Sequence, residues 1–323
     1  MHRLDHIHFS GSDSPSRSRE RLPRSPRPVP FLPCSTRIAS RFADSVVVDP
    51  LLIGVLKQAG LDPAIYRAAS LQRRLPACLR QLRAANGGEG LRVLERRPEL
   101  LPRVLNALLI GMTGFFRDPA VFERLAALLG ERLRTRSGSG LRVYSAACSD
   151  GRELYSIAML LEERGVLARS RLTGLDCRSQ AILQAREGRF EATDLEGLEA
   201  KWRRHFLAEG TGFRIQSKLR YGIEWRQGDL FTHRERECDL ILCRNVAIYL
   251  RPPQGAAAWE GFHRQLAPGG LLVTGKAEKP SAALGWRALA PSIYQKIEKI
   301  EPSERGAPAA SALGSEAGLL TPC

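Results

Sequence analysis

Five short stretches of the 323-residue chain set polar side chains against apolar runs in a way that can do chemistry. In "RVYSAACSDGRELYSIAML", Arg142 to Leu160, a strand pattern gives way to small residues and then to an amphipathic helix pattern. Small residues let a ligand approach the backbone of "AACSDG", and the helix start offers unpaired N–H groups. The turn is not G-x-G-x-x-G and lacks the Lys-Ser/Thr of a phosphate loop, which argues against a phosphate cradle. In "TGLDCRS", Asp176 closes an apolar segment. A carboxylate there accepts hydrogen bonds from the paired hydroxyls of a ribose, or caps the helix that follows. Asp229, in "QGDLF", stands at the height of the base of such a nucleoside, or serves as a turn former. "LILCRNVAIYL" runs a buried-strand pattern directly into Arg244 and Asn245. "MTGFFRDPAVFERL" puts Arg117 beside Phe115 and Phe116, where an unpaired guanidinium would be costly to bury. A carboxylate is its expected partner, with a simple surface pair to Asp118 as the alternative.

The elements that must hold these groups are legible from periodicity. From about Val46 to Ala107, apolar residues recur at helical spacing through "DPLLIGVLKQAG", "DPAIYRAASLQRRLPACLRQLRAAN" and "GLRVLERRPELLPRVLNALLIGMTGFF". Arg73, Arg74, Arg80 and Arg83 lie in the middle, where they can display positive charge on an exposed helix face. From Leu141 the period changes, and "LRVYSAA", "RLTGLD", "CDLILC" and "GLLVTGK" read as short apolar strands. The helical segments "RELYSIAMLLEERG" and "PPQGAAAWEGFHRQLAPGG" fall within the first and last pairs. That alternation predicts an α/β fold with a parallel sheet covered on both faces, whose ligands bind beyond the carboxyl ends of the strands. After the helix "SQAILQAREG", residues 191–226 interrupt the pattern with a helix, "DLEGLEAKWRRHFL", and an expected hairpin over "FRIQSKLRYGIEWRQ". "WRALAPSIYQKIEK" is expected to add a further strand. Residues 1–44, rich in Ser, Pro and Arg, and residues 301–323 are expected to be disordered tails. Between them lie a helical domain over 45–112 and a sheet domain over 113–300.

Composition narrows the classes. A hydrophobic fraction of 43% supports a sizeable core. No apolar run reaches the roughly 18 residues of a membrane span, and no apolar stretch follows the first charges, so membrane insertion and secretion are not expected. The cytoplasm is the expected compartment. Cys34, Cys78, Cys148, Cys177, Cys238, Cys243 and Cys323 form no C-x-x-C pair, read as free thiols, and predict no metal site. A net charge of +15 points to an acidic partner, whether nucleic acid, anionic lipid or an acidic protein surface, and charge alone does not choose.

Taken in order, "TGFFRDPAVF", "YSAACSDGRELYSIAMLL", "LDCRSQAILQAREGRF", "GDLF", "DLILCRNVAIYL", "GGLLVTGKAE" and "YQK" resemble the chemotaxis-receptor glutamate O-methyltransferases of the CheR type. The resemblance runs from about Val47 to Lys299. It implies a class I S-adenosylmethionine-dependent methyltransferase sheet, with an N-terminal helical domain and a small inserted β-subdomain. It implies S-adenosylmethionine as cofactor, no metal, and methyl transfer to receptor glutamates, giving γ-glutamyl methyl esters and S-adenosylhomocysteine. Cofactor contacts carry over onto Thr113, Arg117, Glu153, Asp176, Asp229, Leu230, Cys243 and Arg244. Arg117 and Tyr249 match positions that orient the acceptor carboxylate or border the transfer site. The basic second N-terminal helix matches a face that docks on the cytoplasmic helical bundle of a chemotaxis receptor. A monomer is expected, with no specific nucleic-acid partner.

The chain departs from the family pattern at several places. Arg152 and Leu154 replace Glu and Pro of G-E-E-P-Y-S, Arg178 replaces the second acid of D-x-D, and Gly111 replaces a frequent Asn. Lys276 falls where His is usual in G-H-S-E, and Asp229 where Asn is usual. An arginine at 152 is unhelpful beside a sulfonium unless it points away. The competing reading is a non-catalytic receptor-binding regulatory protein with a degraded cofactor site. The hairpin between Phe206 and Phe213 is short, which favours receptor docking without a C-terminal pentapeptide.

Overall fold

The computed structural model describes residues 46–135 and 139–297, so the expected tails at 1–44 and 301–323 lie outside the described residues. The N-terminal helices are α1 (Pro50–Gln58), α2 (Ala68–Gln72), α3 (Leu75–Leu82), α4 (Gly87–Arg96) and α5 (Leu101–Leu108). Their starts are written in the chain. Asp49 accepts the Leu51 amide at 2.9 Å ahead of α1, Asn86 accepts the Glu89 amide ahead of α4, and prolines open α1, α3 and α5. Proline lacks the N–H that would continue a preceding helix, so the long helical stretches of the sequence divide into short helices. Leu51, Leu52, Val55, Leu56, Leu94 and Val104 are fully buried in their shared core. Of the four central arginines, Arg73, Arg80 and Arg83 are exposed. Arg74 instead turns inward and donates twice to the Ala107 carbonyl.

Ten strands follow in order: β1 (Arg142–Ala146), β2 (Arg171–Asp176), β3 (Arg189–Phe190), β4 (Phe206–Glu209), β5 (Gly212–Ile215), β6 (Ile223–Gln227), β7 (Cys238–Cys243), β8 (Leu266–Thr274), β9 (Trp286–Ala290) and β10 (Ile293–Lys296). The further helices are α6 (Pro119–Thr135), α7 (Arg152–Glu162), α8 (Ser179–Glu187), α9 (Ala200–Arg203), α10 (Ser217–Arg220) and α11 (Pro252–Gln265). The main sheet has the order β6-β2-β1-β7-β8-β10-β9 and is parallel except at β10 and β9. Side chains alternate between its faces. Val143, Leu240 and Leu242 pack with α6 and α7, whereas Tyr144, Ile241 and Cys243 pack with Trp259 and Phe262 of α11. This is the α/β sheet covered on both faces that the alternation predicts, with an antiparallel pair added at one edge.

Two strand expectations are corrected. The hairpin is β4–β5, which with β3 forms a separate sheet in the order β3-β5-β4. Residues 217–220 turn helical, and "IEWRQ" leaves the insertion to become the parallel edge strand β6 beside β2. Gly174 explains why: a Cβ there would lie 2.5 Å from the Trp225 ring, so only glycine lets that indole lie against β2. The final segment holds two antiparallel strands, β9 and β10, because the chain reverses at Ser292, whose φ is 65°.

The helical domain and the sheet are clasped together. Tyr66 bridges Leu250, the Arg67 amide donates to the Tyr249 carbonyl at 2.9 Å, and the Arg251 amide donates to the Ile65 carbonyl at 2.9 Å. The segment after β7 is therefore fixed from the helical side.

Candidate active site

The carboxyl ends of β1, β2, β6 and β7 open into a cleft that is bounded on its other side by the helical domain. Of the eight non-glycine residues with positive φ among the described residues, five lie on it or flank a residue that does: Phe116 (48°), Asp118 (62°), Ala147 (57°), Ser149 (54°) and Asn245 (60°). Each such conformation costs roughly 1–3 kcal/mol and persists only where its surroundings over-determine it. Sites of chemistry collect such positions. Gly151, at φ 85°, starts α7 without a side chain of its own to cap it, and the Arg152 amide of the first turn reaches back to Asp150 Oδ1 at 3.4 Å.

Thr113, Arg117, Glu153, Asp176, Leu230, Arg244 and Tyr249 all line this cleft. Asp229 and Cys243 do not. Asp229 spends its carboxylate on the Phe231 amide at 2.9 Å, the turn-former alternative, while remaining near enough to Tyr66 to help push that phenol up after burial itself. Cys243 faces the α11 layer, and burial pushes its thiol well up. Cys148, at the cleft, is raised by burial as well, so neither thiol is a ready nucleophile.

Arg117 lies near enough to Asp118 and Glu153 for its charge to favour both carboxylates, but it contacts neither directly. Its Nη1 donates to the Met112 carbonyl at 2.7 Å, and among the described residues it forms no ion pair. The preceding Phe116 amide is anchored on Ser156 Oγ at 2.9 Å, and the Phe116 ring stacks on Trp202 at 4.4 Å. Asp118 turns instead to Arg244 at 2.6 Å and Lys276 at 2.6 Å. Burial works to raise the Asp118 carboxyl, but Lys276, Arg244 and Arg117 together outweigh it and hold it below the usual carboxylate range. Glu153 is buried and takes Arg244 Nη1 at 3.0 Å; burial raises its carboxyl, against the pull of Arg244.

Arg152 points away from the cleft. It pairs with Asp150 at 3.1 Å and Asp194 at 2.9 Å and lies over the Phe190 ring. Four residues that the sequence patterns did not single out as ligands also shape the site. Tyr66 lines it from the helical domain, and Arg178 binds Asp176. Asp118 is described above. The buried Glu278 carboxylate accepts the amides of Asn245, Val246, Ile248 and Gly275, at 2.8, 2.8, 3.3 and 2.7 Å. Glu278 is the acid retained in "GKAE" where the family pattern reads G-H-S-E, and that match was the one signal that could have marked it, since its place beyond an apolar strand does not separate it from a solvated turn.

Over residues 111–290 the chain matches the family described as CheR methyltransferase, SAM binding domain. The chain belongs to that family. It is 31% identical over 227 residues to a chemotaxis protein methyltransferase of Listeria monocytogenes, covering 70% of this chain and 87% of that one. It is 34% identical over 236 residues to chemotaxis protein methyltransferase 2 of Pseudomonas aeruginosa, covering 68% and 81%. A probable biofilm formation methyltransferase of Pseudomonas putida is 30% identical over 268 residues, covering 79% and 62%.

The cleft of this CheR-family chain fits S-adenosylmethionine in its donor set. A methionine moiety needs an acid for its ammonium and donors for its carboxylate. Glu153 could hold the ammonium, with Arg117 and the open backbone of the loop as candidate donors, and Asn245 adds a buried Oδ1 that has no hydrogen-bond partner among the described residues. Asp176 stands at the end of β2, where a ribose is held in open α/β sheets.

Proposed function

We propose that this methyltransferase transfers the methyl group of S-adenosylmethionine to glutamate side chains of a chemotaxis receptor, giving γ-glutamyl methyl esters and S-adenosylhomocysteine. The observation that carries the reading is Arg117, whose guanidinium borders the cleft without an ion pair among the described residues. A site that must receive a carboxylate needs such a cation unspent. Lysine or arginine already paired to an acid would not serve.

The cofactor supplies an activated methyl group on a sulfonium. The acceptor needs no base, because a glutamate is already ionised near neutral pH. Transfer of that methyl group to a carboxylate oxygen would leave the carbon–sulfur bonding pair on sulfur, with no other leaving group to dispose of. Opposite charges would cancel in that transfer, so no proton has to move and no histidine base is required. What the chain's residues must do is place the oxygen in line. Arg117 orients the acceptor and Tyr249, fixed through its carbonyl by the Arg67 amide, borders the path. Such positioning can contribute about 7–11 kcal/mol. Arg117 must not hold the acceptor too firmly, since ground-state binding gives no acceleration.

For partners, the exposed Arg73, Arg80 and Arg83 of the helical domain suit an acidic helical bundle in the cytoplasmic part of the receptor. No helix among the described residues is long and apolar enough to cross a membrane. The second reading, a non-catalytic regulator, is favoured by one observation: Asp176 is fully engaged by Arg178. Calorimetric titration with S-adenosylhomocysteine separates the two. Binding, with base-labile methyl incorporation into a receptor cytoplasmic domain that is lost in Arg117→Ala and Asp176→Ala, supports the enzyme. No detectable binding favours the regulator.

A further inference from the structure

Asp176 and Arg178 form a closed unit inside the cleft, at 3% and 8% exposure. Oδ1 of Asp176 accepts the Arg178 amide at 2.9 Å and Arg178 Nε at 3.0 Å. Oδ2 accepts the Ser149 amide at 2.9 Å and Arg178 Nη2 at 3.1 Å. A carboxylate offers about four lone-pair sites, so its acceptor capacity is spent. The other guanidinium nitrogen, Nη1, donates to the Leu109 carbonyl at 3.2 Å, which ties the group to the linker leaving the helical domain. Gly111 makes the space for it. A Cβ at position 111 would lie 2.3 and 2.4 Å from the two terminal nitrogens of Arg178, so the glycine and the arginine depend on each other.

We propose that Arg178 occludes the ribose position of this chain's own cofactor site and sets its affinity. This rests on the reading of the cleft as an S-adenosylmethionine site. Two ribose hydroxyls reach Asp176 only if Nε and Nη2 of Arg178 withdraw. The exchange gives up a buried, bidentate ion pair for bonds from neutral hydroxyls to the same carboxylate, and it leaves the Arg178 guanidinium without its counter-ion. Binding is therefore weaker than the pocket's remaining contacts would give, and cofactor occupancy follows cofactor concentration over a range where an unoccluded carboxylate would already be saturated. The backbone amides of Ser149 and Arg178 stay on Asp176 throughout, so the carboxylate remains held in place while its outer sites change partners.

The test is calorimetry with S-adenosylhomocysteine on the full chain and on its Arg178→Ala and Arg178→Gln variants. Both variants are expected to bind about tenfold or more tightly than the parent. A parent that binds, with variants that bind equally or more weakly, overturns the proposal and leaves the cofactor site standing. Failure of all three to bind overturns both. A measurement on the parent alone does not depend on variants folding. The Arg178 Nε–H is expected to exchange slowly with water in the free protein and rapidly at saturating S-adenosylhomocysteine. Unchanged protection in the complex overturns the proposal.

Discussion

Arg244 holds Glu153 with Nη1 at 3.0 Å while its other terminal nitrogen grips Asp118 at 2.6 Å, and its side chain is only 2% exposed. One guanidinium thus joins the end of β7, the first turn of α7 and the strained segment that carries Arg117. Lys276 extends the alternation to the rim through Asp118. The charges fix three separate loops in one geometry without using Arg117.

Arg244→Met is expected to destabilise the fold by about 3–5 kcal/mol, because it leaves a buried carboxylate without its counter-ion. The pH dependence has a definite sign. Glu153 is already raised by burial, and loss of Arg244 raises it further. A carboxyl raised in the fold binds more protons folded than unfolded between the two pKa values, so stability falls as pH rises through that window. Urea denaturation of the variant should therefore show its deficit shrinking from about pH 7 to about pH 5, and Glu153→Gln should recover part of it. A pH-independent deficit would contradict the ion-pair account.

Glu278 acts through the backbone. Its two oxygens accept two amides each, from Asn245 and Gly275 on one and Val246 and Ile248 on the other. Glutamine cannot replace it, since its NH₂ would face amide donors. Glu278→Gln is expected to cost about 1–3 kcal/mol of stability and to lower kcat more than it weakens cofactor binding, because the segment it holds carries Tyr249. A fall in cofactor affinity with kcat unchanged would show that the loop does not position the acceptor.

Arg152 should be dispensable for the cofactor. Its partners are Asp150, Asp194 and the Phe190 ring, which link the turn before α7 to the inserted subdomain. Arg152→Ala is expected to lower stability by about 1–2 kcal/mol and to leave S-adenosylhomocysteine affinity within about twofold, as calorimetry and thermal melts would register. A large loss of affinity would place its charge in the cleft after all.

The parts of this molecule readable from sequence are those governed by local period and by strand ends. β1, β2, β7, β8, α7 and α11 stand where the alternation put them, and Asp176 and Arg244 do lie at the mouths of their strands. The edge strand β6 escaped because Trp225 has its reason in Gly174, about fifty residues away, and no local pattern records that contact. Side-chain pairing was the least legible. The sequence predicts a carboxylate partner for Arg117, with Asp118 as the local alternative, yet positive φ on both flanking residues sends Asp118 to Arg244 and leaves Arg117 on the Met112 carbonyl. Arg152 and Arg178 are both replacements at ligand-facing motifs, and only tertiary neighbours decide that one leaves the cleft and the other stays in it.

Arg117 gives the sharpest test of the proposed chemistry. A lysine keeps the charge but loses the planar fork that can hold a carboxylate and the Met112 carbonyl together. If the group only binds the cofactor, Arg117→Lys and Arg117→Ala should raise the cofactor KM and spare kcat at saturation. If it orients the acceptor, kcat should fall about 100-fold or more in both, with the cofactor KM rising less, since a group felt in the transition state lowers kcat directly. The second pattern is expected, measured as base-labile methyl incorporation into a receptor cytoplasmic domain at varied cofactor and receptor. A kcat equal to that of the parent in Arg117→Lys would remove the guanidinium from the transfer step and leave Tyr249 and the loop held by Glu278 as the orienting elements.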